Sequence, residues 1–116
     1  TLEYEVILVD SGSTDGTLEI AALHNCHILH ITRQEFSFGL SLNMGCEAAS
    51  GDILVITSGH CVPLDETWLQ HLCQPILDDA AQYTYGRQIS SSESQFSESQ
   101  IFLKYYPEEN NHLEII

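Results

Sequence analysis

EVILVDSGSTDGTLEIA, residues 5–21, is the stretch on which the fold turns. It opens with a run of branched and aliphatic residues, the pattern of a buried strand. Read with its neighbours, the strand covers Tyr4 to Val9 and ends at Asp10. SGSTDGT follows, a set of small and polar turn residues. TLEIAALHN then reads as a helix with Leu18, Ala21 and Ala22 on one face, capped by Asp15 or Ser13. Strand, tight turn and helix in that order form the first half of a parallel βαβ unit.

Working outward, the alternation continues. His27 to Ile31 is a short apolar strand, followed by a loop from Arg33 to Phe38. Leu40 to Ala49 reads as a helix, with Gly51 as its C-terminal signal. Ile53 to Thr57 reads as a buried strand. Asp65 caps a helix carrying Trp68, Leu69 and Leu72, with Pro75 bending its end. Gln82 to Gln88 is expected to be a strand, SSSESQFSES a polar loop, and Ile101 to Tyr105 a last helical piece ended by Pro107. Such alternation with short loops predicts an α/β fold, a mostly parallel sheet flanked by helices.

Composition narrows the function. The 116 residues suffice for one small domain. Against 17 acidic residues stand only Arg33, Arg87 and Lys104, a formal net charge of −14. Nucleic acid is excluded as a partner, because phosphate contacts need Lys and Arg, and an anionic membrane surface is disfavoured for the same reason. The longest apolar run, Ile53 to Ile56, is far too short to cross a bilayer. The cysteines, at 26, 46, 61 and 73, show no CxxC pair and no zinc-ribbon spacing. Reduced, buried cysteines and a cytosolic setting are the expectation.

In a parallel sheet the C-terminal strand ends share one edge, where ligands bind. VDSGSTDGT, residues 9–17, places Asp10, Ser11 and Ser13 there. A carboxylate and hydroxyls beside glycines suit a ribose or base, and the same residues also suit a βα turn that satisfies its own helix N-terminus. FSFGLSLNMG, residues 36–45, places Asn43 in a helix otherwise small and apolar, where an amide needs a backbone or ligand partner. SGHC, residues 58–61, puts His60 directly after the apolar run. A neutral imidazole is a common metal ligand, and Ser58 points the same way if strand geometry persists. HNCHILHI, residues 24–31, holds three histidines, but the stretch crosses from helix end to strand, so the rings should not converge.

Taken together, EVILVDSGSTDGTLEIA, FSFGLSLNMGCEAASGDILVI, SGHCVPLDETWL and YGRQ resemble a family 2 glycosyltransferase of the GT-A fold. The nearest flavour is the rhamnosyltransferase-like bacterial enzymes of surface-polysaccharide synthesis. The resemblance runs from about Glu5 to Gln88. It implies a donor-binding core over residues 1–88, with residues 89–116 beginning the acceptor region. It implies a nucleotide-diphospho-sugar donor, contacted by Asp10, Ser11 and Ser13, with Asn43 and Arg87 near the donor. It implies a saccharide or lipid-linked acceptor and a cytoplasmic location, at the inner face of the plasma membrane.

The family's metal-binding Asp-x-Asp motif falls on Ser58-Gly59-His60. Both aspartates are replaced here, although related transferases use Asp-x-His followed by cysteine. The resemblance therefore makes Ser58 and His60 the ligands of a divalent metal, Mn²⁺ or Mg²⁺. Many relatives carry a second aspartate where this chain has Ser11, and an arginine where it has Leu42. The resemblance also implies a strand and helix ahead of EVILVD, and an acceptor half beyond this chain that supplies the catalytic base. A sheet lacking such a unit exposes an edge, so association of copies through it is a further expectation.

Overall fold

The structure, a computed structural model, describes residues 2–91. It divides into two compact units, Thr1–Leu64 and Asp65–Ile116. The piece expected over Ile101 to Tyr105, and the Lys104 it contains, lie outside the described residues.

In the first unit, β1 (Ile7–Asp10) leads through α1 (Thr17–Leu23) to β2 (His27–His30). The strands pair parallel, with Ile7 opposite His27 and Asp10 opposite His30. The ladder is anchored outside both ends of the pairing, by the His27 N–H on the Val6 carbonyl at 2.8 Å and the Ile31 N–H on the Asp10 carbonyl at 2.9 Å. The first βαβ unit is therefore as expected, with β1 beginning later than Tyr4 and including Asp10.

Local chemistry explains the borders of α1. Its N-cap is Gly16, at φ 87°, with no side-chain cap; Asp15 instead accepts from the N–H and hydroxyl of Thr17. At the other end, Asn25 takes the left-handed conformation at φ 54°. Cys26 N–H reaches the Ala21 carbonyl and Asn25 N–H that of Ala22, which is the Schellman termination. His24 occupies the C-cap, as its place at the helix end suggested.

Next comes α2 (Phe38–Ala48), beginning two residues earlier than the periodicity indicated, because Ser37 caps it by accepting from the Leu40 N–H at 3.1 Å. Its end is not a glycine cap: Ala49 turns extended, and Gly51 has no positive φ. α1 packs against β2 and α2 against β1. The core is small: Ala21 and Ile31 are buried, and so is the polar Asp10.

The sheet departs from expectation. Among the described residues it has two strands, β1 and β2. Ile53 to Thr57 is irregular, with Leu54 and Ile56 about half exposed, and Gln82 to Gln88 is likewise not a strand. A strand exists only with a hydrogen-bonded neighbour, and neither segment has one among the described residues.

The second unit holds α3 (Trp68–Leu77), with Cys73 buried and Pro75 inside the helix. Its N-cap is Thr67; Asp65 acts one step earlier, accepting from the Thr67 N–H and hydroxyl as Asp15 does for Thr17. The helix closes in a second Schellman motif, with Asp79 at φ 54° and Ala80 N–H on the Pro75 carbonyl. The Thr84 hydroxyl ties the following coil back to the Leu72 carbonyl at 2.6 Å. No helix among the described residues is long and apolar enough to cross a membrane.

Candidate donor site

Asp10 ends β1, and its burial is what shapes the loop that follows. Its side chain is almost fully enclosed, yet each oxygen has a donor. Gly12 N–H donates to Oδ2 at 2.9 Å, and Ser13 N–H to both oxygens at 3.1 and 3.2 Å. Gly12 makes this possible at φ 95°, where a side chain would be strained. The Ser13 hydroxyl, and then the Gly12 and Ser13 amides, hold the Asp10 carboxyl below its ordinary range against the opposing effect of burial. His30, opposite in the ladder, lies with Nδ1 4.0 Å from Oδ2 and adds a smaller pull in the same direction.

These hydrogen bonds display the turn-satisfying role of Asp10. Ser11 is half-buried beside it, and Ser13 is exposed with its hydroxyl near the carboxylate. Asn43 lies on α2 and is exposed. An exposed amide is open to solvent, so it has no need of a buried partner.

Ser58 and His60 are brought together, but not by strand geometry. Residues 58–61 form a turn, closed by Cys61 N–H on the Ser58 carbonyl at 3.0 Å. Within it the His60 N–H meets Ser58 Oγ at 3.4 Å, and both residues are exposed. Among the described residues no hydrogen bond joins this turn to the Asp10 loop. Ser58 instead lines an open groove of about 370 Å³ with Leu8, Ile20, Ala21 and His24. Among the described residues no three His, Cys, Asp or Glu side chains gather around one point, His24, His27 and His30 included. One imidazole and one hydroxyl supply fewer charged oxygens than a hard divalent cation prefers, so these two residues would hold one only with further ligands. All four cysteines are free.

Arg87 is exposed in the coil of the second unit. The cation that does stand on the Asp10 loop is Arg33, whose Nη2 donates to the Gly12 carbonyl at 3.0 Å. Sequence reasoning passed over it as a loop residue. The signal available was its place just past the strand that pairs with β1.

Comparison with known proteins gives the family. The profile described as "Glycosyl transferase family 2" matches residues 1–115. The chain is similar to "Glycosyltransferase AglE" of Haloferax volcanii, 42% identical over 73 residues, which is 59% of this chain and 23% of that relative. The matched stretch thus spans about a quarter of that relative's length. No solved structure matches. Enzymes of this family commonly use a divalent metal, a nucleotide-sugar donor and an acceptor. Matched along nearly all its length, the chain belongs to glycosyl transferase family 2.

Proposed function

We propose that this chain is the donor-binding part of an inverting glycosyltransferase, which moves a sugar from a nucleotide-diphospho-sugar to an acceptor hydroxyl. The observation that carries the reading is the Asp10 loop. It is a hydrogen-bonded, glycine-opened turn at the C-terminal end of a parallel strand, within a chain of this family. Open α/β sheets bind nucleotides at such strand ends. Ser11 and Ser13 offer hydroxyls to the nucleoside, and Asp10 holds them in place. Asn43 and Arg87 are further candidates for donor contact.

The reaction is a displacement at the anomeric carbon. A carboxylate base takes the proton from the acceptor hydroxyl. The oxygen forms the new glycosidic bond as the bond to the nucleoside diphosphate breaks, through an oxocarbenium-like transition state. The base is expected in an acceptor region outside the described residues. Ser58 and His60 are proposed to face the diphosphate; a divalent ion there would take its remaining ligands from the phosphates. A surface polysaccharide is the proposed product class, with a rhamnosyl-type donor.

A second reading is a nucleotide-binding module without catalysis. The absence of carboxylates at residues 58 and 60 favours it.

Calorimetric titration with UDP, dTDP and GDP, each with and without Mn²⁺, on the native chain and His60→Ala, tests both. Saturable binding of one nucleotide is the expected result. Sugar release from the matching donor supports the transferase, and binding without release supports the module. No binding to any nucleotide overturns both.

A further inference from the structure

We propose that Arg33 is a donor-binding residue, whose guanidinium takes an oxygen acceptor of the bound nucleotide. The inference rests on the donor-binding reading of the Asp10 loop.

Placement comes first. The parallel register sets Asp10 against His30, so the chain leaving β2 stands beside the loop leaving β1. Arg33 lies in the turn just beyond. That turn is closed by its own residues: the Thr32 hydroxyl donates to Glu35 Oε2 at 2.6 Å, and the Glu35 N–H donates back to Thr32. The guanidinium lies over Gly12. A Cβ on Gly12 would sit 3.5 Å from Arg33 Nε, an ordinary contact that shows how closely the side chain lies over the turn.

Charge comes second. Residues 1–64 contain no other Lys or Arg. Among the described residues no carboxylate forms an ion pair with Arg33, in a chain carrying 17 acids. Glu35 is engaged with Thr32, and the buried Asp10 has its own loop and His30 as partners. An exposed guanidinium anchored by one hydrogen bond, and without an ion pair among the described residues, keeps most of its five N–H donors for something else.

Supply of donors comes third. In many nucleotide sites the backbone amides of a glycine loop receive the anion. Here the Gly12 and Ser13 amides are directed to Asp10. Those two glycine-turn amides are already committed, so a cationic side chain beside them is the natural source of positive charge. Arginine recognises both phosphate and base carbonyl oxygens through its planar fork.

The test is calorimetric titration of the full chain with UDP, dTDP and GDP and with the matching nucleosides. Native protein, Arg33→Ala, Arg33→Lys and Arg33→Gln are compared, with circular dichroism of each. Gln keeps a donor for the Gly12 carbonyl and loses the charge. Nucleotide affinity is expected to fall about tenfold or more in Arg33→Ala and Arg33→Gln, and less in Arg33→Lys. A fall for diphosphates alone assigns the contact to phosphate; an equal fall for nucleosides assigns it to the base. Where Arg33→Ala fails to fold, Arg33→Gln decides. Native affinity in a folded Arg33→Gln overturns the inference and leaves the donor reading standing. No nucleotide binding by the native protein overturns both.

Discussion

Gly45 faces Val9 across the contact between α2 and β1: a Cβ built on Gly45 would lie 3.6 Å from Val9 Cγ2. That is ordinary van der Waals distance, so one methyl fits and a larger side chain does not. Gly45→Ala is expected to be neutral or stabilising by up to about 1 kcal/mol, through helix propensity. Gly45→Leu is expected to push α2 off the strand and cost about 1–3 kcal/mol. Urea unfolding of the two variants checks the pair.

Asp10 has the opposite character, a buried charge with every oxygen occupied. Asp10→Ala leaves the Gly12 and Ser13 amides without their acceptor. The expected cost is about 1–3 kcal/mol, with loss of nucleotide binding on the proposed reading. Hydrogen exchange at the Gly12 and Ser13 amides should accelerate in the variant, which a purely global loss of stability would not confine to that loop.

The same carboxylate sets a pH dependence. Its folded pKa lies below the ordinary 3.8. A depressed acid stabilises the folded state fully above its unfolded pKa and loses that contribution as pH falls through the folded value. Stability from this group is therefore expected to be flat above about pH 5 and to fall on acidification below about pH 4. In Asp10→Asn that component of the acid slope should vanish, as read from unfolding midpoints between about pH 2 and about pH 6, roughly two units either side of an unperturbed aspartate pKa.

Gly12 adopts φ 95°, outside the range that side chains tolerate well. Gly12→Ala is expected to cost about 1–2 kcal/mol from backbone strain alone. The added methyl also meets Arg33 at 3.5 Å, an ordinary contact, so strain and not collision dominates. A double variant with Arg33→Ala, measured by thermal unfolding, should show nearly additive losses.

Asn25 closes α1 in the left-handed conformation at φ 54°. Glycine there removes the residual strain at some cost in unfolded-chain entropy. Asn25→Gly is expected to stabilise the first unit by about 0.5–1 kcal/mol. A lower unfolding midpoint in urea would contradict this.

Much of the fold was legible because its signals are local. The aliphatic run before Asp10, the glycine turn, and the periodicities around Ala21 and Leu69 each lie within a few residues of the element they specify. The helix limit shifted by two residues where a capping residue was overlooked, as with Ser37 and α2. Of the candidate site, Asp10, Ser11 and Ser13 were readable as a strand-end cluster, and the structure places them on one loop. Asn43 was readable as an amide on α2, but its exposure there was not, since exposure is set by what packs against the helix.

The sequence by itself determined the family, the parallel βαβ unit and the residues at the end of β1, since each is written in contiguous residues. Only the tertiary structure decided that Ile53 to Thr57 and Gln82 to Gln88 are not strands. A ladder needs a partner from elsewhere in the chain, and an apolar run carries no record of whether one is beside it. Tertiary structure also placed Arg33 on Gly12, 21 residues away, because the parallel register, and not any local motif, brings the exits of β1 and β2 together.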